Sequence, residues 1–400
     1  MLLALMFCAY CMYDKTDPKK SVKVDELNKS GYTFKVRAAK INSKYSEIPS
    51  TMFRNKLVIV SSKKIGAIGN GMDSKTKEPY TDLFYSDVSN TGNFSLPLWF
   101  SSKLNTKNNE GQVAFSPNEK TIYYTRSMRK KSSNYKLFKA ELNAKRRMIW
   151  ENEIEIEVSS DEYSVENPHV SVDGRFLYFS SNMKGGFGGF DIYMARINND
   201  GSIGTAINLG GNINTSKDEK YPHTTKDNKE LYFSSTGHNS IGGYDVFISN
   251  RKNSVYSAPR NLGMTINSTK DDLAFIIIEG NTGVFLSNKG KRNKGFNMYH
   301  FKAEMTYKDS QGVVTTNDNR ILPNATVVLL NSEGEEIERQ TTGVDASYRF
   351  KIRPFENYQI IAEKDGYENC FLQLKPDRYQ QRAVLKMVSK VEVSYTKTKR

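Results

Sequence analysis

The sequence predicts an all-β protein: a five-bladed β-propeller, closed by its own N-terminal strand, followed by a small β-sandwich. Three observations predict it. A short aromatic strand recurs at steps of 64, 55, 54 and 53 residues. Turn residues split each step into four strand-like segments. The segment 306–388 carries a different strand pattern of its own.

A fixed period of this size marks repeat architectures. Leu177-Tyr-Phe-Ser-Ser181 returns as Leu231-Tyr-Phe-Ser-Ser235. Weaker copies are Val58–Ser62, Ile122–Arg126 and Val284–Asn288. A second marker keeps step: Phe190-Asp-Ile-Tyr193, Tyr244-Asp-Val-Phe247, Thr81-Asp-Leu-Phe84, Tyr135-Lys-Leu-Phe138 and Phe296-Asn-Met-Tyr299. A third precedes the first: Asn167-Pro-His-Val-Ser171, Tyr221-Pro-His-Thr-Thr225 and, in the first copy, Ile48-Pro-Ser-Thr51.

Each unit reads as four short strands. Asp173-Gly174 supplies a hairpin turn, where Gly accepts positive φ. Gly185-Gly186, Gly188-Gly189 and Gly242-Gly243 punctuate the loop before the third strand. Period-two alternation with aromatic and β-branched residues excludes a helical repeat. Four strands per unit suggest radial blades. The fifth unit lacks a fourth strand, whereas Phe34–Asn42 precedes the first unit and ends in Ile41-Asn42, like Ile213-Asn214 and Ile266-Asn267. This segment is therefore expected to complete the last blade and remove its exposed edge. A six-bladed ring is the alternative. The insertion Lys63–Tyr80 looks too short for another blade.

The expected domains are an apolar leader at 1–20, the propeller at 32–303, the sandwich at 306–388 and a basic tail at 389–400. Strands are expected at Ala325–Leu330, Arg339–Thr342, Ser347–Ile352, Tyr358–Glu363, Phe371–Leu374 and Ala383–Met387. About seven short strands in such a span argue for a sandwich.

Composition fits a folded β-rich chain: 23 Tyr and 21 Phe against 11 Pro. The formal charge of +14 implies attraction to acidic partners without naming them. Part of it lies in one run, Arg126, Arg129, Lys130, Lys131, Lys136, Lys139, Lys145, Arg146 and Arg147. No nucleic-acid motif accompanies that run, so a solvated face is expected and no nucleic-acid partner. Of three cysteines, Cys8 and Cys11 lie in the leader and Cys370 stands apart, so no disulfide framework is expected. Met1–Tyr13 is too short to span a bilayer. It resembles the apolar region of an export signal and predicts an exported protein.

Chemistry-bearing motifs are scarce. There is no Gly-x-Ser-x-Gly and no His-Glu-x-x-His. The Gly185–Gly189 string does not lead from a strand into a helix, so it is not read as a phosphate cradle. No catalytic residue, cofactor or metal is expected. His169 and His223 hold equivalent places on strands expected to be innermost, from which they can approach the channel. A shared metal would need three or four ligands, so packing or hydrogen bonding is the expectation. Asp82, Asp191 and Asp245 recur before the third strand. They suit either calcium or the loop's own N–H groups, and the second reading is favoured because Lys136 and Asn297 replace them elsewhere. Glu166 and Glu219 are the carboxylates to try if the channel processed glycans, since glycosidases use a pair. The long loops Lys63–Tyr80, Met128–Asn134 and Lys289–Lys294 are candidate partner contacts.

Two resemblances follow from these motifs. Residues 34–303 look like the WD40-like propeller repeats of bacterial envelope proteins, on Pro168-His169, Asp173-Gly174, Leu177–Ser181 and Gly188-Gly-Phe-Asp191. The pattern Asn-(Thr/Ser)-x-x-x-acid at Asn42, Asn105, Asn214 and Asn267 is shared as well. Residues 306–388 are similar to the carboxypeptidase-regulatory-like domain, on Leu322–Leu330, Tyr348-Arg-Phe350 and Lys364-Asp-Gly-Tyr367. That order resembles OmpA-family envelope proteins of Bacteroidetes, including components linked to gliding and type IX secretion. It implies a non-enzymatic scaffold, periplasmic or associated with the outer membrane through envelope-protein partners. A peptidoglycan-binding OmpA domain is not seen in this sequence, so peptidoglycan binding is not expected. The alternative is a glycan-binding or glycan-processing protein that uses the channel.

Overall fold

The computed structural model describes residues 30–390 apart from 44, 46, 64–71, 73–78, 90, 91, 129, 130, 147, 291–294 and 376–381. The leader with Cys8 and Cys11, most of the Lys63–Tyr80 insertion, parts of the other two long loops and the tail beyond 390 lie outside the described residues.

All named elements among the described residues are β-strands. Five small antiparallel sheets account for residues 32–305. The first holds Glu47–Phe53, Lys56–Ser61, Asp82–Asp87 and Leu98–Trp99. The second holds Glu110–Phe115, Thr121–Met128, Lys131–Leu142 and Trp150–Glu155. The third holds Val165–Val170, Phe176–Ser181, Asp191–Arg196 and Ile207–Asn208. The fourth holds Glu219–Thr224, Glu230–Ser235, Asp245–Lys252 and Arg260–Asn261, with Val255–Tyr256 added at one end. The fifth holds Asp272–Glu279, Thr282–Ser287, Asn297–Met305 and Tyr32–Ala38. The leading strand of each sheet contacts that of the next, and the fifth contacts the first. Such cyclic neighbours are the arrangement of a β-propeller.

The last sheet is completed by the start of the chain. Phe34 faces Ala303 and Val36 faces Phe301 in antiparallel register. Phe34 then packs edge-on against Phe275 and Phe301. The second strands are sandwiched between neighbouring sheets, so they bury both faces. Leu177, Tyr178 and Phe179 are all inaccessible to solvent. A strand buried on both faces reads as a continuous apolar run. Full burial of each such side chain contributes roughly 1.5–3 kcal/mol.

Hairpin chemistry corrects two sequence alignments, those of the first and fifth copies; in the fifth, Ser287 faces Asn297 as Ser235 faces Asp245, so Gly283, not Val284, is equivalent to Leu231. In the third sheet Gly174 takes φ +70° in a longer turn. In the first sheet Phe53 pairs with Lys56, so only Arg54 and Asn55 lie between them, at φ 48° and 61°. Two successive positive φ values define the tight hairpin turn favoured by strand twist. The shorter loop moves the register by one. Ser61 faces Asp82 as Ser181 faces Asp191. Leu57, not Val58, is therefore equivalent to Leu177, and Thr51, not Ser50, stands at the level of His169.

The recurring Asn has a plain physical role. The Asn214 amide accepts from Ile192 N–H at 2.8 Å and donates to Ile192 C=O at 3.0 Å. Asn105 does the same to Leu83, Asn267 to Val246 and Asn42 to Met298. Each target lies on the third strand of the preceding sheet and is fully buried. The Asn42–Met298 pair spans the closure. Between the second and third sheets no Asn is present. Ser159 accepts from Leu137 N–H at 2.8 Å and donates to its carbonyl at 3.2 Å instead.

Residues 308–387 form two further sheets. One orders Ser347–Ile352, Lys308–Thr316 and Arg382–Met387; the other orders Glu336–Thr341, Thr326–Leu330, Tyr358–Glu363 and Cys370–Leu374. The strand Lys308–Thr316 was not anticipated in detail, and it pairs parallel with Arg382–Met387. One apolar core joins both sheets, with Val327, Leu329, Phe350, Ile360 and Leu385 among its members. Ser347–Ile352 alternates exposed and buried along its length, as a strand with one wet face does.

The loop after Ile352 seats this unit on the ring of sheets. Phe355 lies under the Arg260 guanidinium, 4.3 Å from ring centroid to charge. The Tyr32 hydroxyl donates to Glu230 at 2.9 Å, and Arg353 reaches that hydroxyl at 3.2 Å. Burial raises the Glu230 pKa, an effect partly offset by the Tyr32 bond and the two arginines.

Candidate functional site

The innermost strands surround a cavity of about 20 Å³ on the axis. That is room for about one water molecule. Asn167, His169, Tyr221, His223 and Ala274 are among the residues that line it. These strands bulge where they approach the axis. At the bulges Asn167, Tyr221 and Ala274 take φ of 53°, 59° and 52°. Positive φ is uncommon for Tyr and Ala, and the bulge re-aims the residues that follow.

His169 and His223 follow those bulges and meet, with ring centroids 4.6 Å apart. The His169 Nε2 accepts from Thr224 N–H at 3.0 Å. The His223 Nε2 accepts from Ile277 N–H at 3.1 Å. Each imidazole thus ties its sheet to the next. Burial, and for His169 the neighbouring His223, push both pKa values down, that of His223 to about 4. Both are neutral at pH 7, with Nε2 committed to backbone. Among the described residues no cluster of three or more His, Cys, Asp or Glu is placed to hold a metal. Equivalent ties run elsewhere: Ser50 Oγ accepts from Val113 N–H at 2.6 Å, and the Gln112 side chain donates to Pro49 C=O at 2.9 Å and accepts from Asn167.

The two carboxylates also serve the fold. Glu219 is wholly buried and accepts from Thr215 N–H, Thr215 Oγ1 and Ser235 Oγ at 2.6–2.8 Å. Glu166 pairs with Lys220 at 2.8 Å and accepts from Ser164 Oγ at 2.8 Å. Neither points an uncommitted carboxylate at the axial cavity. Asp191 accepts from Phe187 and Gly188 N–H groups and from Asn208; Asp245 accepts from Ile241, Gly242 and Asn261. These bonds favour the loop-fixing reading of the recurrent Asp. A Cβ on Gly188 would fall 2.3 Å from Lys217 O, so the glycine permits the loop to sit against the next sheet. Within the basic run, Arg126 pairs with Glu110 and Glu153, Lys136 with Glu155 and Asp161, and Lys139 donates to Gly201 C=O.

A larger cavity of about 350 Å³ lies where the first sheet meets the fifth. Val88 and Ile278 supply apolar wall; Lys35, Arg37 and Lys302 supply charge. His300 lines it too. It is 8% exposed, stacks on Phe94 at 4.7 Å, and its buried Nε2 has no hydrogen-bond partner among the described residues. Burial and the nearby Arg37 lower its pKa to about 4. Sequence reasoning missed this site. Its residues come from the two ends of the ring and form no linear motif.

No family model and no curated protein matches the chain. Some solved structures are similar. TolB from Acinetobacter baumannii is 16% identical with a TM-score of 0.33; the match covers 63% of this chain and 52% of that one. The chain thus spans about half of that protein. A thermostable family-43 glycoside hydrolase is 12% identical with a TM-score of 0.44, covering 68% of this chain and 93% of that one. The RS223 β-xylosidase is 12% identical with a TM-score of 0.42, covering 72% and 98%.

Proposed function

We propose that the chain is a non-enzymatic, protein-binding scaffold of a bacterial cell envelope, built as a closed five-bladed propeller with a β-sandwich fixed to its side. The observation that carries this reading is the fate of the candidate groups. His169, His223 and Glu219 spend their acceptors on the fold itself, and the axial cavity has room for about one water rather than a sugar ring. A rigid disc with variable loops suits recognition. The resemblance to OmpA-family envelope proteins, and the apolar leader, support export and a periplasmic place beside the outer membrane. The link to type IX secretion or gliding rests on that resemblance alone, an analogy of domain order.

The test is cross-linking in intact cells followed by fractionation. The reading expects the protein in the envelope fraction, joined to an envelope protein through its loops. It also expects no turnover of a glycoside panel. Recovery in the cytosol without cross-links, or glycoside hydrolysis abolished by Glu166→Gln, would overturn it.

A further inference from the structure

We propose that the C-terminal unit is a clamp on the closed ring: its loop Arg353–Glu356 holds the start of the closing strand against the fourth sheet, so that docking of the unit and closure of the ring stabilise each other. Chain connection sets this up. Only Thr306 and Tyr307 separate the strand Asn297–Met305 from Lys308–Thr316, the first strand of the C-terminal unit. Asn297–Met305 is also the strand with which Tyr32–Ala38 pairs. So short a link keeps the unit beside the closing strand, and Thr306 N–H donates to Gly31 C=O at 3.0 Å.

The loop then covers residues 30–32. The Arg353 guanidinium reaches the Tyr32 hydroxyl at 3.2 Å and Glu230 Oε1 at 3.5 Å. One charge thus joins the unit, the closing strand and the fourth sheet. The Glu230 side chain is 12% exposed, and a carboxylate so buried needs partners of this kind. A Cβ added to Gly31 would lie 3.4 Å from Pro354 Cγ and 3.5 Å from the Phe355 ring, so the loop rests on the chain there. The Phe355 ring stacks on Arg260, whose Nε donates to Ser30 C=O at 3.3 Å. Ser30 is fully buried. Phe355 takes φ of 70°, uncommon for a bulky residue, and such strain persists only where surrounding contacts outweigh it. Here those contacts are the Arg260 stack and the Asn250 amide, which donates to Phe355 C=O at 3.4 Å. Both come from the fourth sheet, so docking holds the loop in shape. A second contact is electrostatic. The Ser332 bond, and then Lys252 and Lys229 at one end of the fourth sheet, lower the pKa of Glu333 in the turn after Leu330.

The clamp does not depend on the scaffold reading, and its failure would leave that reading intact. The test is native hydrogen exchange on the full 400-residue protein. Arg353→Gln combined with Phe355→Gly removes the charge and the ring while relieving the positive φ. Exchange across 32–38 should then rise at least roughly tenfold, the scale of losing a charged hydrogen bond and a stacked cation. Exchange across Leu177–Ser181 and Thr326–Leu330 should stay as in the parent protein, which shows that ring and unit both remain folded. Should the paired variant fail to fold, Arg353→Gln alone decides, with a rise of at least about threefold expected across 32–38. A double-mutant cycle of Tyr32→Phe with Arg353→Gln, read as stability to denaturant, should be non-additive, since the two side chains share one bond across the joint. Unchanged exchange across 32–38 in a folded variant, or additive effects in the cycle, would overturn the proposal.

Discussion

The ring of sheets and the C-terminal unit solve the same problem with different means. In the C-terminal unit one apolar core joins two sheets, and the pattern of buried side chains sets which faces meet. In the ring each sheet shares apolar contact with its neighbours, yet the joints are set by polar bonds. Asn42, Asn105, Asn214 and Asn267, with Ser159 in the remaining joint, each grip both backbone groups of one residue on the sheet before. Apolar contact is non-directional, whereas a two-bond amide grip fixes distance and angle. A cyclic stack has to close, so small angular errors at five joints would add up. A two-sheet sandwich has no such constraint.

Three substitutions sharpen that contrast. The largest expected effect is in the C-terminal core. Phe350→Ala should cost about 3–5 kcal/mol, read as early loss of that unit in thermal or denaturant unfolding. Native amide exchange in the ring should barely change. Next is the joint. Asn214→Ala leaves the buried N–H of Ile192 unmet, at about 1–3 kcal/mol, while its C=O keeps the bond from Leu209 N–H at 3.1 Å. It should speed amide exchange at both flanking sheets. Ser159→Ala should cost less, about 1 kcal/mol, because Ser159 is only half-buried. Equal losses at the two joints would break the idea that burial of the grip sets its worth.

The third contrast is with pH. The unfolded chain protonates His223 near 6.5, but the folded chain only near 4. As pH falls between these values the unfolded state takes up the proton first, so stability is lost, by about 3 kcal/mol at most. Glu110 and Asp245 act in the opposite sense. Burial raises them to about 7 and about 6, so stability falls as pH rises through their windows. His223→Gln should therefore flatten the acid limb of a stability–pH curve and leave the slope near neutrality. An unchanged acid limb would show that the imidazole is not buried as described.

Much of the ring was legible because its strands are short, aromatic and repeated. Leu177–Ser181 and Leu231–Ser235 mark equivalent strands without any structural aid. The first and fifth copies stand one residue out of the sequence alignment, because two-residue turns at Arg54-Asn55 and Gly280-Asn281 replace the longer Asp-Gly turn. The Ser159 joint was missed because a hydroxyl does there what an amide does elsewhere. The histidines line the small axial cavity, but a linear sequence could not show that backbone N–H groups occupy them. The seam cavity was illegible for a topological reason. Arg37 and His300 face each other only because the chain's first strand joins its last sheet.

That pairing is the central claim, and hydrogen exchange tests it most directly. Peptides covering 32–38 and 297–305 should be protected to a similar degree in the native protein, and Asn42→Ala should raise exchange in both. Complete exchange of 32–38 within seconds, beside a protected 297–305, would mean that the first strand does not close the ring.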